Sequence, residues 1–384
     1  MAGSVHKEGS TWYYMLELGK DQQGKRKRKK KRGFKTKREA LKELAEAETA
    51  LNKGVYVEDD QLTLGEYLQF WLKHYAKINT AERTYEGYCS MIHAHIIPAL
   101  GHFKLSKLTP FHLQSYYAEK LKDGRYDGKG GLSARTVKHH HRLISKALKD
   151  AVKWQKIIRN VAEVVDPPKP KKVEINPLSV NEIKRLLQVA YQSTQYYPII
   201  FTAIHTGMRR GELLGLCWKD VDLSNGIIRV RQTLQMIVGT GIIFKEPKSG
   251  KGRTVTMTTA LINMLQNHKI QQNKSKLAFG DIYQDYGLVF TQGNGKYIQP
   301  SELTKAFKKM VNEARVTKVR FHDLRHTHAT LLLQQNIHAK VVSERLGHST
   351  IGITLDTYSH VLPNMQKEAA QKFDFLLDEM SKKA

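Results

Sequence analysis

The twelve residues from Asp166 to Pro177 (DPPKPKKVEINP) hold four prolines and three lysines. Proline donates no backbone hydrogen bond and its ring clashes with the preceding helical turn, while the lysines keep the backbone in water. No helix runs through such a segment. It reads as a linker over 166–177, so the 384 residues must fold as separate bodies on either side. At 40% hydrophobic residues there is enough apolar material for those cores. No run approaches the roughly 18 apolar residues of a membrane span, and residues 1–10 lack the apolar stretch of a secretory signal. Cys89 and Cys217 lie far apart and in no CxxC pair, which implies neither a disulfide framework nor a thiolate metal site. A protein of the reducing cytoplasm, with no membrane partner, is expected.

Charge narrows the choice of partner. With 63 Lys+Arg against 36 Asp+Glu, the net charge is +27. Residues 1–61 hold 15 basic and 10 acidic residues, 62–173 hold 20 and 9, and 174–384 hold 28 and 17. An excess in every piece suggests that each touches one long polyanion, DNA or RNA. In the first piece, Trp12, Tyr14, Leu16 and Leu18 alternate with Tyr13, Met15 and Glu17 as in a half-buried strand. A turn at Asp21–Gly24 follows, then eight consecutive cations: Lys25, Arg26, Lys27, Arg28, Lys29, Lys30, Lys31 and Arg32. Thr36 with Glu39 reads as a capping box and Gly54 as a helix stop. A small sheet packed on one helix is expected over 1–61, its basic run lying between strand and helix as a nucleic-acid contact.

Residues 62–165 read as four helices, with starts at Thr63 (with Glu66), Thr80, Thr109 before Pro110, and Ser133. In the last of these, Val137, His141, Ile144, Leu148 and Ala151 recur at helical spacing, and Lys138, Arg142, Lys146, Lys149 and Lys153 form a second stripe about 100° around. One face is expected to pack and its neighbour to meet phosphates. His139–His141 cannot all face one ion from a helix. Residues 178–384 mix helices and strands, with strands near Ile227–Val230, Ile242–Phe244 and Thr254–Met257.

This last piece carries residues suited to handling a phosphodiester. His205–Leu216 (HTGMRRGELLGL) sets two arginines just after a glycine turn. Glu246–Met257 (EPKSGKGRTVTM) reads as a hairpin tip bearing Lys248, Lys251 and Arg253. Phe321–Leu333 (FHDLRHTHATLLL) opens a helix with His322 and Arg325 three apart on one face, and Leu346-Gly347-His348 precedes Tyr358 by ten residues. A phosphodiester gathers charge on its non-bridging oxygens as it reacts, and paired guanidiniums answer that need at any working pH. A phenol of pKa near 10 attacks only if it is held in line and relieved of its proton.

The order Arg, Lys, His-x-x-Arg, Gly-His, Tyr resembles the catalytic domain of the tyrosine recombinases, especially phage and conjugative-element integrases, whose signature is TG-[ML]-R-x-x-E, a hairpin Lys, H-x-x-R, LGH and a closing Tyr. The likeness covers about residues 175 to 363 and fills every signature position; GLSARTVKHHHRLISKALKDAV (131–152) is similar to the last core-binding helix of these integrases. The resemblance implies a multidomain protein, mainly α with small β-sheets: an arm-DNA-binding domain (1–61), a four-helix core-binding domain (62–165) and a mixed α+β catalytic domain (178–384). It makes Arg209 and Arg325 the phosphate clamp, Glu212 the support of Arg209, and Lys248 the acid for the leaving 5′ oxygen, with Lys245 and Lys251 its neighbours in register. It makes His322 the assisting base, His348 a phosphate ligand, and Tyr358 the nucleophile of a 3′-phosphotyrosyl intermediate. It implies no ATP, metal or other cofactor, a homotetramer on core and arm sites of double-stranded DNA, an excisionase and a host DNA-bending protein as partners, and integration or excision of a mobile element as the outcome. The apolar stripe Met365, Ala369, Phe373, Leu376, Leu377 and Met380 would dock on a neighbouring protomer. Three readings compete. One is a DNA-binding regulator that never cuts. Another is a zinc enzyme using His322 and His326 at H-x-x-x-H spacing, which Asp323 and Arg325 between them oppose. The third is a type IB topoisomerase, which shares the phosphotyrosine chemistry but which the phage-like first two pieces argue against.

Overall fold

The computed structural model describes residues 3–20, 24–52, 61–171, 176–237, 239–246, 252–358, 370 and 373–374. The chain divides within the proline segment into two compact units, Met1–Lys172 and Val173–Ala384.

In the first unit, β1 (Ser4–Glu8), β2 (Thr11–Lys20) and β3 (Arg26–Phe34) form an antiparallel sheet in that order, and α1 (Lys37–Asn52) covers one face. Tyr14 and Leu16 bury against Phe34, Ala40 and Leu44, with Trp12 and Leu18 packed around them. As expected, the basic run lies between a strand and a helix, and from Arg26 onward it forms the third strand of the sheet. Pairing with β2 splits it by the strand period of two. Lys29 and Lys31 sit opposite Leu16 and Tyr14 on the helix side, whereas Arg28 and Lys30 sit opposite Glu17 and Met15 on the open face. There Lys30 lies 3.7 Å over the Tyr13 ring and 3.1 Å from Glu8, and Arg28 lies 3.6 Å from Glu17. The capping bond from Glu39 N–H to Thr36 is present at 3.2 Å. Residues 21–23 of the expected turn at Asp21–Gly24, and the stop at Gly54, lie outside the described residues.

Four long helical stretches follow. The first is α2 (Leu64–Trp71), a π-helical turn (Leu72–Ala76) and α3 (Lys77–Asn79); the second is α4 (Glu82–Met91), a second π turn (Ile92–Ile96) and α5 (Ile97–Leu100). The last two are α6 (Pro110–Asp123) and α7 (Ala134–Lys153). Thr63 and Glu66 form a full capping box, and Ser133 caps α7. Thr80 does not start a helix; its hydroxyl donates back to Ala76 C=O at 2.7 Å, closing the preceding one. Gly65 N–H reaches Gly101 C=O at 3.0 Å, and a Cβ at Gly65 would lie 3.1 Å from that oxygen, so the close approach depends on glycine. Tyr67 and Trp71 tie this first helix to α7 through Ala147 C=O (2.6 Å) and Asp150 (2.9 Å). On α7, Arg142, Lys149 and Lys153 are exposed, but Lys146 is half-buried, its ammonium 5.3 Å from the Tyr88 ring and 5.9 Å from Trp71. His140 and His141 bond the hydroxyls of Tyr116 and Tyr117, each at 2.9 Å.

In the second unit, α8 (Val180–Tyr191), α9 (Tyr197–Thr206), α10 (Arg210–Leu214), α11 (Thr259–Phe279), α12 (Pro300–Glu313) and α13 (Asp323–Gln334) contribute to the large core, which also takes in residues of β4 (Val221–Asp222), β5 (Ile227–Val230) and β8 (Arg253–Thr256). These three strands form a sheet ordered β4-β5-β8, and β6 (Thr233–Ile237) pairs separately with β7 (Gly241–Lys245). The expected hairpin of Ile242–Phe244 with Thr254–Met257 is therefore not formed. β7 turns back on β6 through Gly239 and Gly241, both at positive φ, whereas β8 pairs with β5. α14 (Ala339–Leu346) and α15 (Ile351–Tyr358) add a small second core of Ala329, Leu333, Val342, Leu346 and Tyr358. No described helix is long and apolar enough to cross a membrane.

Candidate active site

Gly207, at φ +64°, ends α9, and the chain leaves it extended, so that Arg209 becomes the N-cap of α10. Of the adjacent arginines, Arg210 turns to Pro300 C=O and Thr304, while Arg209 lines the cleft, donating to Glu212 (2.8 Å) and Gly347 C=O (3.3 Å). Glu212 is 2% exposed and also receives a two-pronged guanidinium from Arg253, at 2.9 and 2.7 Å, and the Arg209 N–H at 2.8 Å. Burial alone would raise the Glu212 pKa. The Arg253 fork and the Arg209 contacts overcome that and hold it at about 2.

Arg325, on α13, is 3% exposed; Nη1 donates to Gly207 C=O at 2.9 Å, and Nη2 is buried with no hydrogen-bond partner among the described residues. Burial, then Arg209 and Arg253, push its pKa down to about 9, which leaves it charged at neutral pH. A buried donor without a partner beside two other guanidiniums is an anion-seeking arrangement. His348, just past the left-handed Gly347, shares a hydrogen bond with Thr354 (2.8 Å), and burial with the Arg325 and Arg209 charges lowers it to about 4. His322 occupies the N-cap position of α13 and is exposed; desolvation and the adjacent His326 and Arg325 lower it below its usual range.

Tyr358 ends α15 with 1% exposure, and its hydroxyl meets His326 Nδ1 at 2.7 Å. Burial pushes the phenol up to about 12, against a smaller opposing pull from Arg325. Arg209, His322, Arg325, His326, His348 and Tyr358 thus converge on one open cleft of about 530 Å³. Among the described residues no group of three or more His, Cys, Asp or Glu could hold a metal ion. The rings of His322 and His326 meet edge to face at 5.4 Å. Lys248 and Lys251 lie outside the described residues, while Lys245 ends β7 and Arg253 opens β8.

Sequence reasoning missed three contributors. His326 entered only as a possible zinc ligand, not as a partner of Tyr358. Arg253 looked like one more loop cation. Arg345 accepts from Arg253 through its C=O (2.9 Å) and donates to His328 (3.0 Å), Thr256 C=O (3.0 Å) and His205 C=O (2.9 Å). No local pattern announces these contacts.

Residues 176–365 match the Phage integrase family, 4–51 an Arm DNA-binding domain and 63–121 the N-terminal SAM-like domain of phage integrases. The chain is 30% identical to a tyrosine recombinase XerC-like protein of Caldanaerobacter subterraneus subsp. tengcongensis, over 96% of this chain and 97% of that one. It is 24% identical to an integrase of Saccharopolyspora erythraea, over 94% and 93%. Its fold resembles the Tn1549 transposon integrase solved with transposon right-end DNA (TM-score 0.70, 20% identity, 81% of this chain and 99% of that one). It also resembles a lambda integrase tetramer solved on a Holliday junction (TM-score 0.56, 19% identity, 90% and 96%).

Proposed function

Since the chain belongs to the tyrosine recombinases of the phage integrase family, enzymes that cut and rejoin DNA at specific sites, we propose that Arg209, Lys248, His322, Arg325, His348 and Tyr358 carry its chemistry, with Glu212 in support. Tyr358 attacks the scissile phosphate. Arg209 and Arg325 hold its non-bridging oxygens, and His348 adds a hydrogen bond; preset donors of this kind are typically worth about 3 to 4 kcal/mol each in the transition state. Lys248 protonates the departing 5′ oxygen. His322 completes the rim of the pocket. The 3′-phosphotyrosyl link stores the bond energy, so that a second strand's 5′-hydroxyl reseals the backbone without ATP.

One observation carries this reading: the buried, unpartnered Arg325 Nη2 lies in the same cleft as a buried tyrosine whose hydroxyl already has a hydrogen-bonded partner. Residues 1–61 would bind arm sites through Lys25–Arg32, and residues 62–165 would bind the core site through α7, where Lys138, Arg142, Lys149 and Lys153 contact phosphates and Lys146 braces the helix. Residues 166–177 would link these to the catalytic domain, 178–384. The assembly is a homotetramer on attachment-site DNA in the cytoplasm of a bacterial host, with the segment from Met365 docking between protomers and an excisionase and a DNA-bending protein setting direction. Incubating the protein with a nicked duplex of the element's attachment core should trap a covalent adduct that Tyr358→Phe abolishes. An adduct that survives this substitution refutes the nucleophile, and no adduct from the unaltered chain favours a regulator that does not cut.

A further inference from the structure

We propose that His326, and not His322, is the catalytic base that takes the Tyr358 proton, an assignment that rests on the recombinase reading above and adds a residue to it. Its Nδ1 lies 2.7 Å from the phenolic oxygen, the reacting atom itself. With the phenol donating, His326 is the tautomer protonated at Nε2, and Nδ1 offers its lone pair to the proton that must leave.

Packing preserves this contact. Ala329 and Leu333, three and seven residues after His326 on α13, lie on its face of the helix and form the small core that buries the Tyr358 ring with Val342 and Leu346. One face of one helix therefore supplies both the seat of the nucleophile and the group that deprotonates it. No hydrogen bond of the His322 ring is found among the described residues, and the His322 and His326 rings stand nearly perpendicular with centroids 5.4 Å apart.

Each elementary change balances. The Tyr358 O–H bond breaks and its proton goes to His326 Nδ1. The phenolic oxygen bonds to phosphorus, the bond from phosphorus to the 5′ oxygen breaks, and that oxygen leaves with the electron pair and takes a proton from a separate acid, Lys248. Resealing runs the steps backwards. Because burial holds Tyr358 up at about 12 and His326 below its usual range, the phenoxide does not form at rest. The proton passes as the bond to phosphorus forms and the oxygen loses its basicity. The groups facing His326 are Asp323, which favours the protonated ring, Arg320, Arg325 and His322, together with His348 and Tyr358.

The test uses the full chain on a nicked attachment-core duplex under single turnover, with either an ordinary or a 5′-bridging phosphorothiolate scissile bond. The sulfur leaves without needing an acid. His326→Asn places an amide near Nδ1 and cannot accept the proton; it should bind the duplex as the unaltered chain does yet form adduct about 100-fold more slowly or worse on both substrates. Lys248→Ala should be slow on the ordinary bond and recover on the phosphorothiolate. The unaltered chain should slow as pH falls through the His326 titration, and the Asn variant should be flat. If His326→Asn does not fold, His326→Gln carries the same expectation. Adduct formation within threefold of the unaltered chain, or recovery of the His326 variant on the phosphorothiolate, overturns the proposal. Absence of adduct from the unaltered chain on both substrates would instead defeat the recombinase site assignment.

Discussion

Replacing Glu212 with glutamine keeps the side chain's shape and removes the charge that two arginines share. Its carboxylate is 2% exposed and accepts from Arg253 at 2.9 and 2.7 Å and from Arg209 at 2.8 Å. The folded pKa of about 2 lies some 2.5 units below the reference 4.5, and at 1.36 kcal/mol per unit this amounts to about 3 kcal/mol of stability at pH 7. An independent route agrees, since leaving a buried charge without its partner costs roughly 3 to 5 kcal/mol. The sign follows from a depressed acid: the contribution is complete above pH 4.5 and is lost as pH falls through 2. Glu212→Gln should therefore destabilise the second unit by about 3 kcal/mol at pH 7 and converge on the unaltered protein near pH 2. Urea unfolding read by hydrogen exchange in peptides of residues 176–358 isolates that unit from the first. A loss under 0.5 kcal/mol at pH 7, or a difference that persists unchanged to pH 2, would refute the account of Glu212 as the shared counter-charge.

Three further outcomes are expected. Gly207→Ala must adopt φ +64° and would bring a Cβ to 2.6 Å from Leu346 and 2.7 Å from His328; urea unfolding should show a loss of about 2 kcal/mol or more, and a neutral substitution would contradict the geometry. Burial lowers His328 to about 3 and His348 to about 4, so the unfolded chain binds protons first, and the midpoint of urea unfolding in the second unit should fall as pH drops from about 6.5 to 4; a flat midpoint over that window would count against neutral, buried rings. In the amino-terminal sheet, Arg28→Ala with Lys30→Ala should reduce the log-log salt slope of arm-DNA binding by about 1.8, more than Lys29→Ala with Lys31→Ala, because β3 presents the first pair on its open face. Equal reductions would mean that the face does not matter.

Much of the architecture follows from local rules. Prolines mark the division between the units, alternation identifies β2, and caps at Thr63 and Ser133 locate helix starts. The expectations that failed involve longer range. Thr80 has the residue type of an N-cap, but its hydroxyl found the carbonyl behind it. That the cations of Lys25–Arg32 form a strand was not legible because charge obscures strand periodicity; β2 offered an unpaired edge, and hydrogen bonding to it decided the conformation. The hairpin assigned around Lys248 was drawn from sequence adjacency, whereas β7 and β8 each found another partner.

The sequence by itself determined the modules, the basic character shared by all of them and the order of Arg209, His322, Arg325, His348 and Tyr358, because side-chain type and short spacing carry those signals. Only the tertiary structure decided which of Arg209 and Arg210 enters the cleft, that Arg253 shares Glu212, and that His326 holds the Tyr358 hydroxyl. These contacts span 41 residues between Glu212 and Arg253, 32 between His326 and Tyr358 and 138 between Arg209 and Gly347. Helical and strand periodicities fix neighbours within about two turns. Beyond that, a side chain's partner is set by how separate elements pack into one core.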